Sequence, residues 1–127
     1  MSSIIYWTNS STLTKNSQQF CQSCEEKSYY YESFEIRIPE NRYYKMWSTS
    51  EINVYGFIYE NMFDPLNPNE NLLAGNGNCY GQFKFDIPLY NDIVYILVVS
   101  THSSLATGNI TIHISGLNNV IIKRLSK

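Results

Sequence analysis

The chain has 127 residues, and nine Lys and Arg stand against eleven Asp and Glu for a formal net charge of −2. That length suits one domain with its own core, and the near-balance of charge excludes the basic footprint of a nucleic-acid or anionic-membrane binder. Eleven Tyr, six Phe and two Trp accompany many Ile and Val while Ala is scarce, which favours pleated sheet over helix.

In chain order, Ser3-Ile-Ile-Tyr-Trp7 is a short apolar run of strand type. With its neighbours it lacks the basic and long apolar regions of a secretory signal. Thr8 to Gln19 is polar and shows neither a helical nor a strand period, so residues 1–20 read as an extended strand and linker preceding a domain over 21–127. From Tyr29 the period becomes two: Phe34, Ile36 and Ile38 alternate with Glu35 and Arg37 until Pro39 stops the strand. In Arg42–Ser48, Tyr44 and Met46 fall on one face and Tyr43, Lys45 and Trp47 on the other. Ile52–Tyr59 is the next strand, with Gly56 marking a bulge or a close contact.

Residues 60–81 read as the longest irregular region, because Pro65 and Pro68 remove donors and Ala74–Gly81 is rich in Gly and Asn. Strands resume at Gln82–Pro88, Ile93–Thr101 and Asn109–Ser115, and Val120–Leu125 closes the set. Ile93–Val99 is apolar on both faces and suits a central strand. It is also far too short to cross a bilayer as a helix. About eight strands separated by turn signals predict an all-β fold, a β-sandwich or jelly roll. Its core should contain Phe34, Ile36, Ile38, Phe83, Phe85, Ile110, Ile112 and Ile114.

Chemistry is thinly signalled. Cys21 and Cys24 have metal-ligand spacing, and Cys79 with His102 or His113 would complete a zinc set. The main reading is instead a disulfide from Cys79 to Cys21 or Cys24, leaving one thiol over. Gly75, Gly77 and Gly81 lack the Lys-Ser/Thr and the helix of a phosphate loop. Neither His102 nor His113 has a nucleophile partner at a recognisable elbow, and both read as surface histidines. Asp64, Glu70, Asp86 and Asp92 are scattered, and only the 64–78 loops hold enough Asp and Asn oxygens for calcium. No cofactor is expected. Asn9 and Asn109 open glycosylation triplets and lean toward a secreted, extracellular protein. The tyrosines at 29–31, 43–44, 55 and 59 are candidates for stacking on sugar rings wherever they reach the surface.

The order of motifs also carries a resemblance. Ser11–Cys21, Tyr29-Tyr-Tyr-Glu32, Val54–Tyr59, Phe63–Leu73, Gln82-Phe-Lys-Phe85, Tyr95–Thr101 and Thr107–Gly116 together resemble a repeat of large secreted rotifer proteins. More distantly the chain is similar to the bacterial pre-peptidase C-terminal domain, a jelly-roll-like β-sandwich. The resemblance implies a non-catalytic extracellular module, often in tandem. Where those families often carry paired aspartates, this chain has Ala74-Gly-Asn-Gly-Asn-Cys79, so the role of those acids does not carry over.

Two functions are expected from different classes, both without nucleic-acid or membrane partners. The first is a structural module that self-associates. Ile4, Ile5 and Trp7, on a linker able to span roughly 40 Å, would be donated as a strand to a neighbouring copy, and head-to-tail pairing would propagate as a fibre. The second is a carbohydrate-binding module in which exposed aromatics, Trp47 and Tyr59 above all, contact the glycan. An enzyme is not expected, because no nucleophile and base assemble from the sequence.

Overall fold

The computed structural model describes residues 5–20, 29–76, 81–101, 106–116 and 120–125, with backbone alone for 5–11, 76 and 116. Among them there is no helix. Ten strands form two antiparallel sheets: β1 (Ile5–Leu13), β2 (Gln18–Phe20), β3 (Tyr29–Arg37), β4 (Arg42–Ser48), β5 (Val54–Glu60), β6 (Leu72–Asn76), β7 (Lys84–Leu89), β8 (Tyr95–Thr101), β9 (Gly108–Gly116) and β10 (Ile121–Leu125). The smaller sheet runs β1-β9-β4-β7, and the larger runs β10-β3-β8-β5-β6, with β2 also paired to β3.

The alternating strands behave as their period dictates. Ile110, Ile112 and Ile114 of β9 and Tyr44 and Met46 of β4 point into the space between the sheets. There they meet Phe34 and Ile36 of β3 and Leu97 and Val99 of β8. All eight residues expected in the core are buried. β8 lies between β3 and β5 and is buried along its whole length, as an apolar run with two covered faces must be. On the far face of the larger sheet, Ile96 and Val98 are covered by Phe20, Tyr31, Tyr59 and Phe63. Phe20 meets Tyr31 and Phe63 edge-on at 5.2 and 5.3 Å, the geometry that ring quadrupoles favour. The larger sheet is therefore buried on both faces, and the smaller one exposes its outer face.

Two sequence readings are corrected here, and one left open is settled. Residues 8–19 are not a linker: β1 pairs residue for residue with β9 from Ile5↔Gly116 to Leu13↔Gly108, and β2 pairs with β3. The string Thr8-Asn-Ser-Ser-Thr12 carries no apolar residue to mark a period. The backbone of β9 nonetheless needs partners on its open side, and fully buried Leu13 anchors the pairing. A four-residue turn closed by Ser17 N–H to Thr14 O at 3.0 Å then carries the chain from one sheet to the other.

Within the 60–81 region, Leu72–Asn76 is a strand paired with β5, and the irregular register of this pair lies at Ile58/Tyr59. Gly56 accordingly marks a close contact and no bulge. A Cβ at Gly56 would fall 2.6 Å from Cγ of Phe83, so this glycine is the notch that receives a ring from across the sandwich.

Candidate functional site

The open outer face of the smaller sheet is built from alternate residues of its strands. β4 presents Tyr43, Lys45 and Trp47, β7 presents Lys84, Asp86 and Pro88, and β9 presents Thr111 and His113. Register sets the neighbours: Trp47 lies opposite Lys84 on one side and His113 on the other, while Lys45 lies opposite Asp86. The Trp47 and His113 rings stack at 5.1 Å with an interplanar angle of 19°. His113 Nε2 and Thr49 Oγ1 share a hydrogen bond of 2.7 Å, which fixes the imidazole against the indole.

Beside this stack lies a groove of about 410 Å³ lined by Lys45, Trp47, Ser48, Gln82, Phe83 and Lys84. One wall of it is rigid for identifiable reasons. Ser48 Oγ donates to Gln82 Oε1 at 2.8 Å and accepts the Phe83 N–H at 3.0 Å. Gln82 Oε1 also accepts the Ser50 N–H at 2.8 Å, and its amide nitrogen reaches the carbonyls of Ser50 and Ile52 at 3.3 Å. Beneath the groove the Phe83 ring is seated against Gly56. A half-buried indole, two ammonium side chains and a fixed polar wall thus share one concave surface.

Of the two residues expected to contact sugar, the fold places one at the surface. Trp47 lines the groove. Tyr59 is fully buried: its hydroxyl donates to the Pro68 carbonyl at 2.6 Å, and burial pushes its pKa up to about 12. That expectation is corrected, because the 61–71 loop and Phe63 cover a face that the strand period alone leaves open. Of the paired tyrosines, Tyr43 is exposed by 66 % and Tyr44 is buried, with its hydroxyl on the Glu40 carbonyl. Tyr30 and Tyr31 are both buried, since the larger sheet is covered on both sides.

The remaining candidates separate in the same way. Asn109 is exposed; its side chain accepts from Thr12 Oγ1 at 2.8 Å and donates to Glu51 at 2.8 Å. Asn9 lies in β1 opposite Ile112. Ile5 and Trp7 lie in the same strand, opposite Gly116 and Ile114. Ile4, Cys21, Cys24, Cys79 and His102 lie outside the described residues, as does part of the 64–78 loop region. Within that region, Asp64 caps its own turn: Oδ1 accepts the Leu66 N–H at 2.9 Å and Oδ2 the Asn67 side chain at 3.0 Å. These bonds hold its carboxyl below the usual range. Among the described residues no three His, Cys, Asp or Glu side chains gather as a metal site.

Sequence reasoning singled out Trp47 but missed the groove around it. Gln82 and Lys84 gave no signal, because what places them is their pairing with β4 from some thirty-five positions away. Comparison of the chain with known protein families and with curated proteins finds no match.

Proposed function

We propose that the domain is a binding module that takes a carbohydrate chain on the outer face of its smaller sheet, with Trp47 as the platform. One observation carries this reading: a half-buried indole, braced by His113, lines a preformed groove of about 410 Å³ whose polar wall is fixed by Gln82 and Ser48. Sugar rings offer apolar C–H faces to an aromatic surface, and polar side chains at the rim orient them. Tyr43, four residues before Trp47 on the same face, lies about 13 Å away along the strand, a span suited to a short oligosaccharide. The extracellular setting expected from the two glycosylation triplets belongs with this reading.

The test is binding to a broad glycan array, followed by calorimetry on any ligand found. Trp47→Ala should weaken binding at least tenfold, while circular dichroism shows the fold retained. Silence across the array would sink the proposal.

A second reading, self-association, is favoured by a separate feature. Among the described strands β1 pairs on one side only, so nine residues of backbone edge stand open. Such an edge is a template for a further strand. Because β1 occupies its own sheet, donation to a neighbour requires exchange of β1 between copies, whereas simple edge addition requires none. Sedimentation over a wide concentration range separates this reading from the first. A strictly monomeric chain, indistinguishable from Ile5→Asp, would reject it.

A further inference from the structure

The edges of the two sheets are not equally guarded, and the difference sharpens the self-association reading, on which this inference rests. Among the described strands the sheets end on β1 and β7 and on β10 and β6. An edge open to a second chain is ordinarily blunted by charge, proline, irregular pairing or shortness. β7 carries Lys84, Asp86 and Pro88. β10 has five residues, Lys123 and Arg124 among them. β6 also has five, includes Gly75, and pairs irregularly with β5 at Ile58/Tyr59. β1 has none of these protections. It is nine residues long, contains no charged residue, proline or glycine, and keeps an unbroken register with β9 from end to end. The first charged side chain in the sequence is Lys15, beyond the strand.

Which chain fits this edge follows from its own backbone. Two identical strands paired antiparallel are related by a two-fold axis normal to the sheet. Because opposed residues share a face, that axis passes through a residue that faces itself. Centred on Asn9, it brings the whole strand into register, with Ile5 opposite Leu13, Trp7 opposite Ser11 and Thr8 opposite Ser10 of the other copy. No charge meets a like charge along the seam. We infer that the occupant of the β1 edge is the β1 edge of a second copy, closing a two-fold dimer whose smaller sheets join as one continuous sheet of eight strands. The dimer does not propagate as head-to-tail donation would, because each copy uses its unguarded edge in the one contact. The axis also keeps both outer faces on the same side of the joined sheet. Trp47 lies level with Thr8 through His113, which sets the two Trp47 positions about 25 Å apart at ~4.8 Å per strand.

Sedimentation velocity of the intact chain from about 1 μM to about 1 mM tests this, a range suited to a small interface. A reversible step from monomer to a single species of twice the mass is expected. Thr8 and Ser10 stand opposite His113 and Thr111, on the outer face, where charge is solvated and the pairing with β9 is kept. Thr8→Lys plus Ser10→Lys sets each introduced ammonium against another across the axis, and should weaken dimerisation at least about tenfold, while circular dichroism shows the fold retained. Thr8→Glu plus Ser10→Lys alters the same positions but opposes unlike charges across the axis, and should restore the dimer. A double lysine variant that dimerises as the wild type does points to exchange of β1 or to another surface, and overturns the edge while self-association stands. Equal weakening by both variants overturns the register centred on Asn9. Species that keep growing with concentration overturn closure. A monomer at every concentration overturns this inference and the self-association reading together.

Discussion

Replacing Gly56 by Ala probes the joint between the two sheets and the groove above it. In most strand interiors this change is favourable, because Ala loses less conformational freedom than Gly by roughly 0.5–1 kcal/mol. Here a Cβ would lie 2.6, 2.8 and 3.0 Å from Cγ, Cδ1 and Cδ2 of Phe83, far inside van der Waals contact. The Phe83 ring has little room to retreat: it is 1 % exposed, and its backbone N–H is held by Ser48 Oγ. Overpacking of this kind costs about 1–3 kcal/mol, which leaves a net loss of roughly 1–2 kcal/mol after the entropic gain. In a domain of this size that lowers the melting temperature by several degrees. Urea denaturation of the wild type, Gly56→Ala, Phe83→Leu and the double variant gives the coupling between the two positions. Phe83→Leu should relieve a large part of the Gly56→Ala penalty, giving a coupling of about 1 kcal/mol. A neutral or stabilised Gly56→Ala, or additive effects in the cycle, would refute the notch.

Leu13→Ala should destabilise the domain by about 2–5 kcal/mol, since the side chain is fully buried and anchors the polar half of an edge strand. Amide exchange should quicken along β1 before it does in β8. Tyr59→Phe should cost about 1 kcal/mol for the lost bond to the Pro68 carbonyl, read by the same denaturation assay. Because the Tyr59 pKa is raised from 10.0 to about 12, the folded state favours the neutral phenol. Its contribution is complete below pH 10 and is lost as pH rises toward 12, by up to roughly 2–3 kcal/mol. Tyr31, Tyr44 and Tyr95 are shifted upward by burial as well and add to the same alkaline loss. Tyr59→Phe should flatten part of that slope in a pH series of melting temperatures.

The strands that carry an apolar period were legible from the amino acids alone. β9, with Ile110, Ile112 and Ile114 in alternation, and β3, with Phe34 and Ile36, bury the residues their period assigns. The division of β4 into a buried face (Tyr44, Met46) and an open one (Tyr43, Lys45) was equally plain, and it placed Trp47 on the open side. The unbroken apolar run of β8 announced a centre covered on both sides. In each of these, side-chain polarity records which face leaves water, and that is a local property of the chain.

What the local pattern does not record is which partner completes a strand or covers its second face. β1 is polar along Thr8–Thr12 and β6 runs through a Gly- and Asn-rich segment, so neither has a period. Both are strands because distant backbones, β9 and β5, supply their hydrogen bonds. Tyr59 carries the same side chain as Tyr43, yet one is sealed beneath Phe63 and the Pro68 carbonyl and the other stands in solvent. The Trp47–His113 stack joins residues 66 positions apart in the chain, and Gln82 reaches Ser48 across 34. Strand register alone brings them together. Polarity along the chain decided the fold class and the face on which Trp47 emerges. The groove, its two lysines and the burial of Tyr59 were decided by long-range pairing, because hydrogen bonding between strands and the packing of a loop over a sheet depend on segments far apart in sequence.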